Sequence, residues 1–323
     1  MTQSFRISGG LIDRKSAIKF TFNGKKMEGY QGDTLASALL ANGQKIVGRS
    51  FKYHRPRGIF SAGPEEPNAL VQLRTGAAQE PNTRATVAEL FNGLVATSQN
   101  HRGSLEFDLM SIADVAAPFL VAGLYYKTFM WPKAFWEKIY EPVIRASAGL
   151  GKLSMREDPD TYDKGFLHCD ILIIGAGPAG LMAALTAARS GARIILADED
   201  FRVGGRLNSE TYILSDMTGS AWAMQILAEL QAMPNVRVMT RTTIYGAYDH
   251  GVFGALERVT DHLPINGRKP RQILWRIYSK RSLLTAGATE RPIVFSNNDR
   301  PGIMLAGAVR SYVNRFGVAP GQN

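Results

Sequence analysis

The sequence predicts an α/β fold, with a Rossmann-like parallel-sheet domain in the second half and a small β-grasp module before it. The run 170–174 is apolar and has the length of a parallel strand buried on both faces. A glycine-rich turn and the Ala- and Leu-rich segment 181–190 follow it directly, which predicts a strand–turn–helix unit. Near the N-terminus, the alternating run 17–22 followed by Asn23-Gly24 predicts a β-hairpin.

We expect the 323 residues to divide into three parts. Residues 1–95 form the β-grasp module, because a short helix at 35–41 follows the hairpin and Thr34 can cap it. Residues 96–165 are an aromatic-rich connecting segment that ends in a polar, proline-containing linker. Residues 166–323 form the Rossmann-like domain. A content of 45% hydrophobic and 20% charged residues is that of an ordinary globular protein.

The turn after the first strand of this domain has the spacing GxGxxG. Gly175 allows the tight turn, Gly177 lets the backbone approach a pyrophosphate, and Gly180 lets the helix pack closely on the strand. Pro178 and Ala179 begin the helix, whose unpaired N–H groups would point at the phosphates. Since the strand, the helix and a following acid are all present, the motif predicts a site for an adenine dinucleotide.

Acidic residues stand at the end of the second strand, which we expect over 193–197. Asp198 is placed to accept hydrogen bonds from the ribose hydroxyls of the adenosine, with Glu199 beside it. Together with Asp200 these residues form a run of three acids, which would repel a 2′-phosphate. The run therefore favours NAD or FAD over NADP.

The following segments resemble flavoproteins that contain two dinucleotide-binding domains. The resemblance implies that Gly204 and Gly205 pass close to the cofactor and that Arg206 reaches its ribose or phosphate. It also implies that the backbone near Ile244 bonds the adenine edge, after a third parallel strand at 236–239. Gly287 lies in a Thr-Ala-Gly-Ala stretch similar to a motif of that superfamily, where small residues let a strand pass under the cofactor.

Three longer segments are similar to the α subunit of heterotetrameric sarcosine oxidase and to related subunits of amine- and proline-oxidising flavoenzymes and hydrogen cyanide synthase. They are GGLIDRKSAIKFTFNGKKMEGYQGDTLASALLANG at 9–43, GRSFKYHRPRGI at 48–59, and residues 291–310. In iron–sulfur members of the wider group, cysteines follow the Arg-Pro-Arg-Gly turn. Here residues 60–67 contain none, and Cys169 is the one cysteine of the chain. We therefore expect a ferredoxin-like module without its cluster.

The resemblance implies an activity for a complex rather than for this chain alone. The complex would oxidise sarcosine to glycine, form hydrogen peroxide and pass the one-carbon unit to tetrahydrofolate. NAD is expected on this chain. FAD is less expected here, because no Gly-Asp motif for a flavin ribityl phosphate is found; FAD and FMN are expected on or at the β subunit. Partners would be β, γ and δ subunits, with folate bound by a C-terminal domain beyond this chain.

That resemblance also implies that a second dinucleotide-type domain would begin where this sequence stops, so we expect a fragment or a shortened subunit. No catalytic residue and no metal ligand set is identified. Two alternatives remain open. The chain is either a stand-alone NAD- or FAD-dependent reductase, or a non-catalytic assembly subunit of another amine- or proline-oxidising flavoenzyme.

Charge and hydropathy argue against two further classes of partner. The net charge of +10 comes from scattered cations without a nucleic-acid-binding motif, so no nucleic acid is expected. The most apolar window, 112–131, contains Asp114, Pro118 and Lys127, so no membrane span is expected. A single cysteine and the lack of a signal sequence favour the cytoplasm.

Three features have a simpler interpretation. The basic run 48–58 is either a solvated loop or a contact for a partner or phosphate, and the sequence does not separate these. His168 and Cys169 are interpreted as structural. Aromatic residues in the connecting segment are interpreted as core rather than as a binding surface. They are Tyr125, Tyr126, Phe129, Trp131, Phe135, Trp136 and Tyr140.

Overall fold

A computed structural model of the chain describes residues 3–115, 117, 131–147, 149–265 and 267–321. Three of the aromatic residues discussed above, Tyr125, Tyr126 and Phe129, lie outside the described residues. No helix among the described residues is long and apolar enough to cross a membrane.

A five-stranded sheet and one helix form the N-terminal part. The elements are β1 (Asp13–Phe22), β2 (Lys25–Gln31), α1 (Leu35–Ala41), the short hairpin β3 (Gly48–Arg49) and β4 (Pro56–Arg57), then β5 (Leu70–Leu73), β6 (Glu80–Arg84) and β7 (Val95–Ser98). The strands of the sheet lie in the order β2-β1-β7-β5-β6, in which β1 and β7 are parallel and the other neighbours antiparallel. This is the β-grasp arrangement predicted from the hairpin.

Helix α1 shows why this segment folds locally. Thr34 is its N-cap and accepts a hydrogen bond from the backbone N–H of Ser37, while the Ser37 hydroxyl accepts one from the N–H of Thr34. This reciprocal capping satisfies two backbone donors at the start of the helix. Leu35 and Leu39 are fully buried and attach the helix to the sheet.

A six-stranded sheet organises the second part. The elements are β8 (Tyr162–Ile174), α4 (Pro178–Arg189), β9 (Ile194–Ala197), β10 (Ile213–Leu214), β11 (Met217–Thr218), α5 (Gly219–Gln231), β12 (Val236–Met239), β13 (Thr242–Tyr248), β14 (Val252–Arg258) and β15 (Gln272–Leu284). The strands of the sheet lie in the order β12-β9-β8-β15-β14-β13. The first four are mutually parallel, and β15, β14 and β13 form an antiparallel meander. The predicted third parallel strand and the antiparallel hairpin are therefore present. Short helices complete the described residues: α2 (Ile112–Val115) and α3 (Glu141–Ser147) in the connecting segment, and α6 (Ala306–Arg310) near the C-terminus.

Apolar side chains cover both faces of this sheet. On one face, helices α4 and α5 pack through residues such as Leu181 and Leu230, both fully buried. On the other face, a second cluster joins residues from all six strands, including Ile195, Phe253 and Ile277. This second cluster therefore runs across the whole width of the sheet.

The C-terminal segment packs on the N-terminal core. Tyr312, Phe316 and Val318 are at most 1% exposed and belong to the same apolar cluster as β1, β5 and α1. Arg6 and Val318 also form a β-bridge. Although we expect 166–323 to be one domain from the sequence, its last residues thus share a core with the first module.

Three arginines of the basic run 48–58 contact other segments of the same chain. Arg49 donates to the backbone oxygens of His54, Leu105 and Glu106. Arg55 and Arg57 pair with Asp299 of the C-terminal segment, the latter at 2.5 Å. These arginines therefore hold the protein's own segments together.

The aromatic connecting segment is largely exposed where it is described. Trp131 is 82% exposed, and Phe135 and Trp136 are more than 40% exposed. The core interpretation is wrong for these three residues, because helical spacing of apolar residues does not reveal whether a partner face exists within the same chain.

Buried ion pairs join the two parts of the chain. Arg271 is 7% exposed and contacts Glu80 of β6, Asp160 of the linker at 3.2 Å, and Asp261 at 2.7 Å. Arg74 of the N-terminal part reaches the same Asp160 at 3.1 Å. Two arginines and three carboxylates thus form one network across the junction.

Candidate functional site

The glycine turn forms a tight connection between β8 and α4. Gly175 has φ +105°, and a Cβ there would lie 2.6 Å from the carbonyl oxygen of Thr285. A Cβ on Gly180 would lie 1.9 Å from the carbonyl oxygen of Gly175, so a side chain would separate the helix from the strand. Around Gly177, by contrast, no atom lies within 4 Å of the Cβ position. The backbone of Gly177 therefore faces open space.

The start of helix α4 is accessible at this point. Gly177 is its N-cap and offers no side chain to the unpaired N–H groups, and Pro178 occupies the first helical position. Pro178 and Ala179 are exposed. An open helix N-terminus beside a side-chain-free residue suits a phosphate group.

Asp198 lies directly against the turn. Its Oδ2 accepts a hydrogen bond of 2.5 Å from the backbone N–H of Ala176, and its Oδ1 accepts one of 2.8 Å from the N–H of Asp200. Burial raises the pKa of Asp198, and the neighbouring Asp200 charge raises it further, while the two backbone bonds oppose this shift. Glu199, next along the chain, is exposed.

The Gly-Gly turn packs on the glycine loop, and the arginine after it is unengaged. The N–H of Gly204 donates to the carbonyl oxygen of Ala176 at 2.8 Å. A Cβ on Gly205, which has φ +50°, would lie 3.1 Å from the Cα of Gly177. The side chain of Arg206 is exposed and, within the described residues, makes no hydrogen bond or ion pair.

Two further candidate residues lie in β13 and just after β15. Ile244 is half-buried in β13 and packs in the second apolar cluster; its strand is tied to the acid through the N–H of Thr242, which donates to the Asp198 carbonyl oxygen at 2.8 Å. Gly287 is exposed, with φ +71°, and has nothing within 4 Å of its Cβ position. The structure thus gathers Gly175, Gly177, Asp198 and the Gly-Gly turn. Gly287 follows Ala286, whose Cα lies 3.0 Å from the Cβ position of Gly175.

Thr285 is a contributor that the sequence analysis missed. Its hydroxyl lies 3.0 Å from the carbonyl oxygen of Ile174 and 2.8 Å from that of Gly175, and its N–H donates to Ile174. It thereby ties the end of β15 to the glycine turn. Its place two residues before Gly287, in a stretch already singled out, was the available signal.

Cys169 is a core residue. It is 3% exposed, and burial raises the pKa of its thiol, so the reactive thiolate is disfavoured. The ring of His168 stacks on that of Tyr278 at 5.0 Å and has a separate environment. We therefore expect Cys169 in the native chain to react with a thiol-specific disulfide reagent at least about 100-fold more slowly than in urea. A native rate within about threefold of the unfolded rate would contradict the burial of this thiol.

These features define a dinucleotide-binding domain of the oxidoreductase class joined to a ferredoxin-like module. Residues 170–253 match the family model described as FAD dependent oxidoreductase, and residues 15–101 match that described as 2Fe-2S iron-sulfur cluster binding domain. Both matches confirm the predicted fold class.

The chain is similar in sequence to sarcosine oxidase subunit alpha. It is 57% identical over 97% of its length to that subunit from Rhizobium meliloti (strain 1021), and 41% identical over 96% to that from Corynebacterium sp. (strain P-1). It spans 32% and 28% of these relatives, about a third of their length. The resemblance drawn from sequence motifs is thus confirmed.

The fold also matches a solved structure. L-proline dehydrogenase from P. horikoshii superimposes with a TM-score of 0.62 over 99% of this chain and 50% of that one, at 20% identity. At this identity, the match shows a shared fold alone.

The residues of the N-terminal module do not fit an iron–sulfur cluster. The matched range 15–101 contains no cysteine, and no group of three metal-ligating side chains occurs among the described residues. In the loop that follows the Arg-Pro-Arg-Gly turn, the buried Glu66 side chain accepts backbone hydrogen bonds. Its two carboxyl oxygens accept from the N–H groups of Phe60, Ser61, Asn68 and Ala69, at 2.6–3.1 Å. A carboxylate inside the chain therefore organises this loop.

Proposed function

We propose that this chain holds a dinucleotide as part of an oxidoreductase subunit of the sarcosine oxidase type, with NAD bound at the turn Gly175–Gly180. One observation carries the proposal. The open backbone of Gly177, the exposed N-terminus of α4 and the Asp198 carboxylate lie side by side, which supports a site for a diphosphate and an adenosine ribose.

Each group has a defined part in this proposal. The N–H groups at the start of α4 bind the diphosphate, and Gly177 admits it because no side chain intervenes. Asp198 exchanges its bond with the Ala176 N–H for bonds from the ribose hydroxyls. Arg206, exposed and unengaged among the described residues, is free to reach a phosphate. Asp198 and Glu199 disfavour a 2′-phosphate by charge repulsion, which selects NAD over NADP.

We extend the proposal to the complex that the relatives' name implies. The sarcosine would be oxidised on another subunit, yielding glycine, hydrogen peroxide and a one-carbon unit for tetrahydrofolate. This chain would contribute binding and assembly with β, γ and δ subunits, with FAD and FMN held on or at the β subunit. We find no nucleophile, general base or metal ligand set among the described residues near the turn, so the isolated chain is expected to be inactive.

A second candidate is that FAD occupies the same turn. The match of 170–253 to an FAD dependent oxidoreductase model favours it, and FAD shares the adenosine diphosphate half of NAD. Identification by mass spectrometry of the nucleotide that co-purifies with the native chain separates the two candidates.

Replacing Gly177 with alanine tests the binding site. The new methyl group meets no protein atom, and φ is −70° at this position, so we expect the melting temperature to change by less than about 2 °C. Because the methyl group occupies the path of the diphosphate, we expect the dissociation constant for NAD to rise at least about 10-fold in calorimetric titrations.

Gly321→Ala is the matched control, because no atom lies within 4 Å of the Cβ position of Gly321 either. Gly321 is also far from the glycine turn in sequence. Titration with FAD and NADP in parallel establishes which dinucleotide binds. Equal affinity of the wild type and Gly177→Ala for the preferred dinucleotide would show that the diphosphate lies elsewhere.

A further inference from the structure

Arg315 links the N-terminal core to the loop that carries the acids. Its guanidinium forms a two-pronged pair with the Asp200 carboxylate, with N···O distances of 2.5 and 2.8 Å. The rings of Phe201 and Phe316 lie against the guanidinium, each with its centroid 4.9 Å away. The Arg315 side chain is 13% exposed. Such a paired and stacked arginine has little freedom to change its orientation.

The turn that carries Arg315 is itself fixed in the N-terminal core. The hydroxyl of buried Tyr312 donates to the carbonyl oxygen of Ser61 at 2.8 Å. Arg6 donates to the carbonyl oxygen of Phe316 at 2.8 Å, and the N–H of Leu11 donates to that of Arg315 itself at 2.6 Å. The guanidinium therefore moves only with the N-terminal part.

On the other side, Asp200 is bonded to the candidate ribose acid. Its N–H donates to Asp198 Oδ1 at 2.8 Å, and Asp198 Oδ2 accepts from the N–H of Ala176 in the glycine turn. The loop is held again where the N–H of Arg241 donates to the Asp200 carbonyl oxygen at 2.9 Å. Hydrogen bonds thus run without a break from Arg315 to the turn.

We propose that Arg315 is a positioning residue for the dinucleotide site: by neutralising and orienting Asp200, it holds Asp198 where the adenosine ribose binds. The inference rests on the proposed function. Three successive acids at the end of a strand repel one another, and Arg315, whose turn packs in the N-terminal core, relieves this repulsion at Asp200. The N-terminal module and C-terminal turn then act as a brace, so that dinucleotide affinity depends on their packing.

Amide hydrogen exchange in the ligand-free chain tests the positioning step. In Arg315→Met we expect the Ala176 amide, whose acceptor is Asp198, to exchange about tenfold faster than in the wild type. The amide of Leu181, which donates to the Gly177 carbonyl oxygen within α4, should keep its wild-type rate. Equal acceleration of both amides would indicate general destabilisation and overturn the inference.

The nucleotide readout uses ADP and 2′-deoxy-ADP, because they differ only in a ribose hydroxyl. We expect the wild type to bind ADP about tenfold more tightly, and Arg315→Met to reduce this preference to about twofold. Arg315→Lys keeps the charge but loses the two-pronged geometry, so its preference should fall in between. Arg315→Lys also provides the test of the nucleotide preference if Arg315→Met does not fold.

Arg193→Met is the control, since Arg193 forms a comparable pair with Asp170 of the same domain but is 57% exposed. It should keep the wild-type preference. An unchanged preference in both Arg315 variants would overturn the inference while leaving the proposed site intact. If the wild type bound neither nucleotide, the proposed site would fail, and the role assigned to Arg315 would fail with it.

Discussion

Replacing Glu66 with alanine is expected to lower the free energy of unfolding by about 4 kcal/mol. The Glu66 side chain is 1% exposed, and its carboxylate accepts four backbone hydrogen bonds from both ends of one loop. The substitution leaves four N–H donors without this partner, and those of Ser61 and Ala69 are buried. Each buried donor without a partner costs about 1–3 kcal/mol. The urea midpoint of the chain measures the loss.

Two variants separate the hydrogen bonds of Glu66 from its charge and from its position in the loop. Glu66→Gln keeps one acceptor oxygen but turns an NH2 group toward two N–H donors, so we expect a loss of about 2 kcal/mol. Glu65→Ala changes the adjacent exposed carboxylate and should stay within about 0.5 kcal/mol of the wild type. A loss below about 1 kcal/mol in Glu66→Ala would show that this carboxylate does not organise the loop.

Arg271→Met is expected to destabilise the chain by about 3–5 kcal/mol. Arg271 is nearly fully buried, and its removal leaves the carboxylates of Glu80, Asp160 and Asp261 facing one another at the junction. Removing one member of a buried charge network costs this much because Glu80 and Asp261 lose their arginine, while Asp160 keeps its pair with Arg74. Since the three acids come from different parts of the chain, we also expect faster proteolysis of the linker around residues 155–160.

Arg193→Met again provides the control for Arg271→Met. Arg193 also pairs with a carboxylate, that of Asp170, but its side chain is 57% exposed, so solvent screens the pair and the expected loss is below about 1 kcal/mol. Thermal unfolding of the two variants side by side gives the comparison. Similar shifts in melting temperature for the two arginines would mean that burial of the Arg271 network contributes little.

The loop around Glu66 explains how the N-terminal module can fold without cluster-binding cysteines. A cluster loop brings several backbone N–H groups toward an anionic centre. In this chain, the N–H groups of Phe60, Ser61, Asn68 and Ala69 converge on a carboxylate instead. The module can therefore keep its fold without metal, and its C-terminal partner, the turn around Tyr312, completes the core.

The glycine turn was predictable because its requirements are local. Gly175 and Gly180 are set by the φ angle of a tight turn and by the close approach of helix and strand, and both leave a spacing in the sequence. The position of Asp198 was predictable for a related reason, since the carboxyl ends of adjacent parallel strands meet at one edge of the sheet. The ligand and the role assigned to each of these residues remain predictions.

Other contributors could not be found in this way. Arg315 lies 115 residues from Asp200, and Arg271 lies 191 residues from Glu80. Nothing in the sequence around either arginine differs from that around an exposed one. The exposed Trp131 and Phe135 show the reverse case, because apolar residues at helical spacing look the same whether or not the chain supplies a surface to cover them.

By itself, the sequence determined the two fold types, the strand–turn–helix unit that suits a diphosphate, and the lack of ligands for an iron–sulfur cluster. Only the tertiary structure decided that the last residues complete the N-terminal core and that Glu66 organises the loop of that module. It also decided that Arg315 reaches the acids beside the glycine turn. The physical reason is that turns and strands follow from interactions between near neighbours, whereas a buried charge finds its partner only after distant segments have packed together.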